Sequence, residues 1–300
     1  MIRTLILSVL FAPSIAAQTS DGMGFLLLGA DAMQLASSET VAALGYGPST
    51  LFSNPALLGF EERSTLALSN TFWLDDAFNR SASASHRGRK WVAAAGVLQS
   101  TVGGIEARQN PGPADGTFDV HYVAFTVGLG RSFGSLSVGA HASALYERVF
   151  DRSAAGYRLG AGVASRHLDD RLRIGTVVTN IGEMQVLAID ATPLPGIWRS
   201  GVAVDLLQFS VNHARNVPLT LGVATDVHVP FNNPAYVSAT ASLTASDVLV
   251  LRGGMRSGET TRRWTFGLEL VQPRFRFSYA LLPFDLGYGT SHSLGVTFAI

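Results

Sequence analysis

Residues 274–282, RFRFSYALL, decide how this chain is read. In an extended strand Phe275, Phe277, Tyr279 and Leu281 share one face, and Arg274, Arg276, Ser278 and Ala280 share the other. The preceding stretch, RWTFGLELV at 263–271, does the same: Trp264, Phe266, Leu268 and Leu270 oppose Thr265, Gly267 and Glu269. Between Pro218 and Val229, Leu219, Leu221, Val223, Val227 and Val229 oppose Thr220, Gly222, Ala224, Asp226 and His228. Between His121 and Arg131, Val123, Phe125, Val127 and Leu129 oppose Ala124, Thr126, Gly128 and Gly130. In a soluble sandwich the apolar face would be the core. Here the second face is small, polar and sparsely charged, which suits the crowded lumen of a barrel whose apolar face meets lipid.

The composition agrees. Charged residues are 15% of the chain, against roughly a quarter in ordinary soluble domains. Mean hydropathy is +0.25, yet no apolar run approaches the ~20 residues of a membrane-spanning helix. A hydrophobic, charge-poor chain without such helices can satisfy its backbone in lipid by closing its strands on themselves. Lysine plus arginine and aspartate plus glutamate both number 22, so the basic surface that nucleic acid demands is missing. There is no cysteine, which excludes disulfides and cysteine-linked lipid.

The expected fold class is therefore all-β, a transmembrane antiparallel β-barrel of about fourteen strands. The alternating segments lie near 65–73, 79–87, 90–101, 118–131, 135–148, 155–166, 171–180, 196–207, 218–229, 233–245, 248–256, 263–271, 274–282 and 292–300. Short turns at 87–89, 132–134, 167–170, 246–247 and 272–273 alternate with longer loops at 102–117, 181–195, 257–262 and 283–291. That rhythm places the short turns on one rim. Two connections break it: 208–217 is long where a turn is expected, and 230–232 is short where a loop is expected. The last segment alternates through Leu294, Val296, Phe298 and Ile300, as suits a strand that pairs with the first.

Three domains are expected. Residues 1–17 read as a secretory signal peptide, with Arg3, an apolar run from Thr4 to Phe11 and small residues at Ser14-Ile15-Ala16-Ala17. Residues 61–300 form the barrel. Residues 18–60 lack the period of two and mix apolar and small residues at helical spacing, so they read as a plug of short helices filling the lumen. Within them, Asn54 suits a helix cap, Pro55 the first helical position, Ala56 the first turn and Gly59 a left-handed stop. About one turn cannot stand alone in water, so the barrel wall must hold it.

Catalytic readings are weak. Gly130-Arg131-Ser132-Phe133-Gly134 matches G-x-S-x-G, but that motif needs a helix after it and an alternating strand follows. The seven histidines are scattered, and neither a phosphate-binding loop nor a zinc motif is present. No enzyme activity, cofactor or metal is called for.

The chain resembles the PorV/PorQ family of outer-membrane proteins, relatives of the FadL-type barrels, from about Gly24 to Ile300. The resemblance rests on FLLLGADAMQLASSETVAAL (25–44), STLFSNPALLG (49–59), GTFDVHYVAFTVGLG (116–130), TNIGEMQVLAIDATPLPGIWRSGVAV (179–204), LRGGMRSG (251–258) and FDLGYGTSHSLGVTF (284–298), taken in that order. Met33-Gln34-Leu35 stands where the family usually has an Ala-Arg pair, and Ile300 replaces a final aromatic residue. The resemblance implies a plugged fourteen-stranded barrel in the outer membrane of a Gram-negative-type bacterium, binding exported proteins or other subunits of type IX secretion. The alternative is FadL-like transport of small hydrophobic molecules. Candidate partner contacts are apolar residues in two loops: Met184, Val186, Leu187 and Ile189 in one, Phe284, Leu286 and Tyr288 in the other.

Overall fold

The computed structural model describes residues 22–108, 112–211, 217–258 and 261–300. The signal-peptide expectation at 1–17 and the first residues of the plug expectation lie outside them.

Fourteen strands form one closed antiparallel barrel, each paired with its neighbours in sequence and β1 paired with β14. They are β1 Thr65–Phe72, β2 Ala77–Arg87, β3 Val92–Ala107, β4 Gly116–Phe133, β5 Leu136–Val149, β6 Arg152–His167, β7 Leu172–Met184, β8 Ile197–Val211, β9 Val217–Pro230, β10 Tyr236–Ala245, β11 Leu249–Arg256, β12 Trp264–Val271, β13 Phe275–Phe284 and β14 Gly289–Ala299. The closing seam keeps register from Thr65 opposite Ala299 to Phe72 opposite His292.

The period of two sorts side chains by face. In β12, Trp264, Phe266 and Leu270 are exposed, while Thr265 and Glu269 are buried. In β13, Phe275 and Phe277 are exposed, while Ser278, Ala280 and Leu282 are buried. Apart from Leu282, the large apolar side chains of these two strands therefore point away from the lumen, the inverse of a soluble core. Outward aromatic residues gather at strand ends: Trp91, Phe133 and Phe275 beside the short-turn rim, Phe72, Trp198 and Trp264 beside the other. These are the two aromatic girdles of a membrane barrel.

Both irregular connections have a physical cause. β8 carries a bulge between Asp205 and Leu207, so Leu206 and Leu207 are both exposed and the alternation slips by one. The strand also runs on to Val211, past the expected end at 207. β10 starts at Tyr236, three residues later than expected, which lengthens the loop before it to 231–235. The hairpin between β5 and β6 departs from the rhythm: Val149 pairs with Arg152, leaving only Phe150-Asp151 as the turn on the long-loop rim. Phe150 takes the left-handed conformation there, at φ 56°.

Candidate functional site: the occupied lumen

Residues 22–61 lie inside the ring of strands. The segment has a 3-10 turn at Gly24–Leu27, helix α1 at Ala32–Ala36, helix α2 at Thr50–Ser53 and a 3-10 helix at Pro55–Phe60. Asp31 caps α1 by accepting from the Gln34 amide at 2.8 Å. None of these pieces is long enough to persist alone. They hold because their backbone groups find partners on the wall.

Asn54 is fully buried and ties two parts of the segment together. Its Oδ1 accepts from the Ala56 amide at 3.1 Å, and its Nδ2 donates to the Ala42 carbonyl at 2.6 Å. Pro55 opens the 3-10 helix, as its sequence position suggests. Gly59 corrects the sequence reading. It lies within the 3-10 helix and outside the left-handed region. A Cβ there would stand 2.2 Å from Ser137 Oγ and 2.7 Å from the Arg131 backbone, so this glycine serves close approach to β4 and β5. Gly139 on β5 is its counterpart, for a Cβ there would fall 2.3 Å from the Pro55 carbonyl. Ser137 Oγ donates to Ala56 O at 2.6 Å, and His141 Nδ1 donates to Leu51 O at 2.6 Å.

Across the lumen the segment makes two small apolar contacts, α1 on Ala280 and Leu282 and Ala43 on Ala203 and Ala224, and a larger set of polar ones. Asp226 Oδ2 on β9 accepts from the Val41 and Ala42 amides, both at 2.7 Å. Thr40 meets Ser238 on β10 at 2.9 Å, and Ala36 O accepts from Thr265 on β12 at 2.9 Å. Glu39 is paired with Arg256, and with Arg262 at 3.1 Å. Burial alone would raise the Glu39 carboxyl, but the two guanidiniums outweigh it and hold it below its ordinary 4.5. Tyr46 OH donates to Glu269, which also accepts from Arg252 at 2.5 Å. Arg276 covers the Tyr46 ring at 3.6 Å. Arg158 on β6 is fully buried and donates to Ser143 Oγ at 3.1 Å and Asn180 Oδ1 at 2.5 Å.

An apolar cluster occupies the β3–β7 side. It runs from Met184 and Leu194 at the long-loop rim, through Phe25, Leu26, Phe52, Leu98, Ala124 and Leu145, to Leu58 and Val92 near the short turns. Phe25 stacks on Tyr122 with ring centroids 5.6 Å apart. Side chains fill this track. Two cavities between segment and wall, one beside Phe52 and one beside Phe25, have room of about 10 Å³ each, enough for a single water.

The candidate loop residues divide. Met184 is the last residue of β7 and is buried, so it cannot present itself to a partner as the sequence suggested. Leu187 packs on the same apolar cluster, and Phe284 packs edge-on against Trp73. Val186, Ile189, Leu286 and Tyr288 are exposed. The two loops do not meet: β9–β12 separate them on one side of the ring and β1–β6 on the other. The G-x-S-x-G stretch is a hairpin, in which Phe133 pairs with Leu136 around Gly134-Ser135.

A closed fourteen-stranded antiparallel barrel, apolar outside and packed within by a segment of its own chain, defines the architecture of a transmembrane β-barrel. Among solved structures it is similar to the P. putida toluene transporter TodX, with a TM-score of 0.62 and 12% identity over 91% of this chain and 99% of that one. It is similar to the Ralstonia pickettii toluene transporter TbuX, with a TM-score of 0.56 and 13% identity over 92% and 98%. A Pseudomonas aeruginosa FadL homologue follows, with a TM-score of 0.54 and 10% identity over 90% and 98%. At these identities the likeness is one of fold. No protein-family model matches the chain, and a search among curated proteins finds no match.

Proposed function

We propose that this barrel passes small hydrophobic molecules across the outer membrane, and that residues 22–61 are its plug. The observation that carries the reading is the apolar track, the largest apolar cluster inside the ring among the described residues, which joins the two rims. Polar solutes gain nothing from such a track, whereas an apolar molecule keeps its burial free energy along it, roughly 25 cal/mol per Å². The fold likeness to two toluene transporters supports the same reading. Because side chains fill the track, passage requires Phe25, Leu26 and Phe52 to give way, and they belong to the plug.

The test is uptake of toluene by cells or proteoliposomes. Ala124 lies on the track and is fully buried, while Ala95 faces outward on the neighbouring β3, three register steps away. Ala124→Trp should cut uptake more than about tenfold, and Ala95→Trp should leave it unchanged. Equal uptake by both variants and the wild type would refute transport along the track.

A second reading, contact with exported proteins or secretion subunits, is favoured by the exposure of Ile189 and Leu286, 89% and 81%. Since the two loops stand apart, a partner would meet two separate points. Ile189→Asp should then abolish co-purification of that partner and leave toluene uptake intact.

A further inference from the structure

The outward wall is not uniformly convex. A groove of about 550 Å³ crosses β13, β14, β1, β2 and β3 on the face away from the lumen. Its apolar lining is Phe277, Val296, Leu294, Leu68, Ala82 and Val97. Register explains the shape. Phe277, Val296, Leu68, Ala82 and Val97 form one row of successive pairs, and Ala82 leaves it hollow in the middle. The next row toward the long-loop rim is Tyr279, Leu294, Asn70, Arg80 and Gln99. A lipid-facing row thus carries an arginine flanked by two amides.

Arg80 is exposed, its Nε donates to Asn70 Oδ1 at 3.1 Å, and its guanidinium lies 4.3 Å over the Phe78 ring. It has no carboxylate partner among the described residues. A guanidinium facing lipid is costly unless it reaches an interfacial anion, and its fork of donors matches phosphate. A second outward hollow, about 410 Å³, gives the contrast. It spans β8–β12 around Ala239, Ala241 and Gly253 and has no charged residue in its lining.

We propose that the β13–β3 groove is a docking site for a membrane lipid with a phosphate headgroup, its acyl chain lying over Ala82 and its phosphate held by Arg80 with the Asn70 and Gln99 amides. The position beside the long-loop rim assigns it to the outer leaflet. The volume lies within the range of small-molecule sites, and the occupant comes from the bilayer because the groove opens only toward it.

The test uses the full chain in mild detergent, incubated with dipalmitoyl phosphatidic acid, and counts retained lipid by native mass spectrometry. Wild type should retain one phosphatidic acid in preference to dipalmitoylglycerol. Arg80→Gln should lower retention about tenfold, the ratio that one hydrogen bond to a charged group supports. Arg80→Lys should restore part of it. Ala82→Trp, which fills the hollow, should abolish retention, and Ala241→Trp in the uncharged hollow should not. Equal retention by Arg80→Gln and wild type overturns the proposal. So does equal retention of diacylglycerol, unchanged retention by Ala82→Trp, or displacement of the lipid by inorganic phosphate alone.

Discussion

Replacing Asn54 by alanine should loosen the plug and leave the barrel closed. Two hydrogen bonds go with the side chain: the one to Ala42 O at 2.6 Å and the one from Ala56 N at 3.1 Å. Both backbone groups belong to buried residues, so water does not simply replace the amide. Leaving a buried donor or acceptor unpaired costs about 1–3 kcal/mol each, and partial relaxation brings the sum to about 2–4 kcal/mol. The strands keep their own ladders, so the loss falls on local opening of residues 50–60. Hydrogen exchange followed by mass spectrometry on the detergent-solubilised protein reads this directly. Peptides covering 50–60 should exchange roughly 30- to 700-fold faster in Asn54→Ala, at tenfold per 1.4 kcal/mol. Peptides from β12 and β13 should not change. Unaltered exchange at 50–60 would show that the side chain does not hold the segment. Equal acceleration in the strands would show that plug and wall open as one unit, and the reasoning would fail there.

Two further outcomes follow from the same geometry. Phe277→Arg puts a charge on the outward face and should cost up to about 2–4 kcal/mol, less near an interface; urea titration in phospholipid vesicles measures it. Glu39→Gln leaves Arg256 and Arg262 without their buried acid and should destabilise the docked plug by about 3 kcal/mol. The wild type should show the same release in acid. The folded Glu39 value is depressed below 4.5, so its contribution is present above that pH and is lost as the pH falls through the lower folded value. Planar-bilayer conductance against pH should rise in acid for the wild type and stay flat on this account for Glu39→Gln.

The strands were legible because a wall between lipid and a polar lumen enforces the period of two at every residue. All fourteen start within three residues of the expected position, with β6 and β14 three early and β10 three late. The failures have local causes. The Asp205–Leu207 bulge puts two leucines on one face, which reads as a frayed strand. Gly59 carried the chemistry of a helix stop, yet its constraint is the neighbouring wall, which lies 70 and more residues away in sequence. The same holds for Gly139: a glycine inside a strand signals close approach but does not say to what. The pairs Glu39–Arg262 and Asp226–Val41 join residues far apart in sequence, and only the closed ring brings them together. Loop exposure was the least legible, because Met184 and Ile189 look alike in sequence while one is buried and the other bare.

The seam between β1 and β14 sets an order on biogenesis. Thr65 pairs with Ala299, so the last ladder to zip joins the most distant strands of the sheet, and that closure carries the greatest loop entropy. Asp226, Ser238 and Thr265 grip the 22–61 segment from one half of the ring, and Ser137 and His141 grip it from the other. A ring that zipped while empty would present these groups to water and would have to admit the segment lengthwise. The segment therefore acts as a tie-rod: it holds the two halves of the ring to one body through contacts that do not pass through the seam.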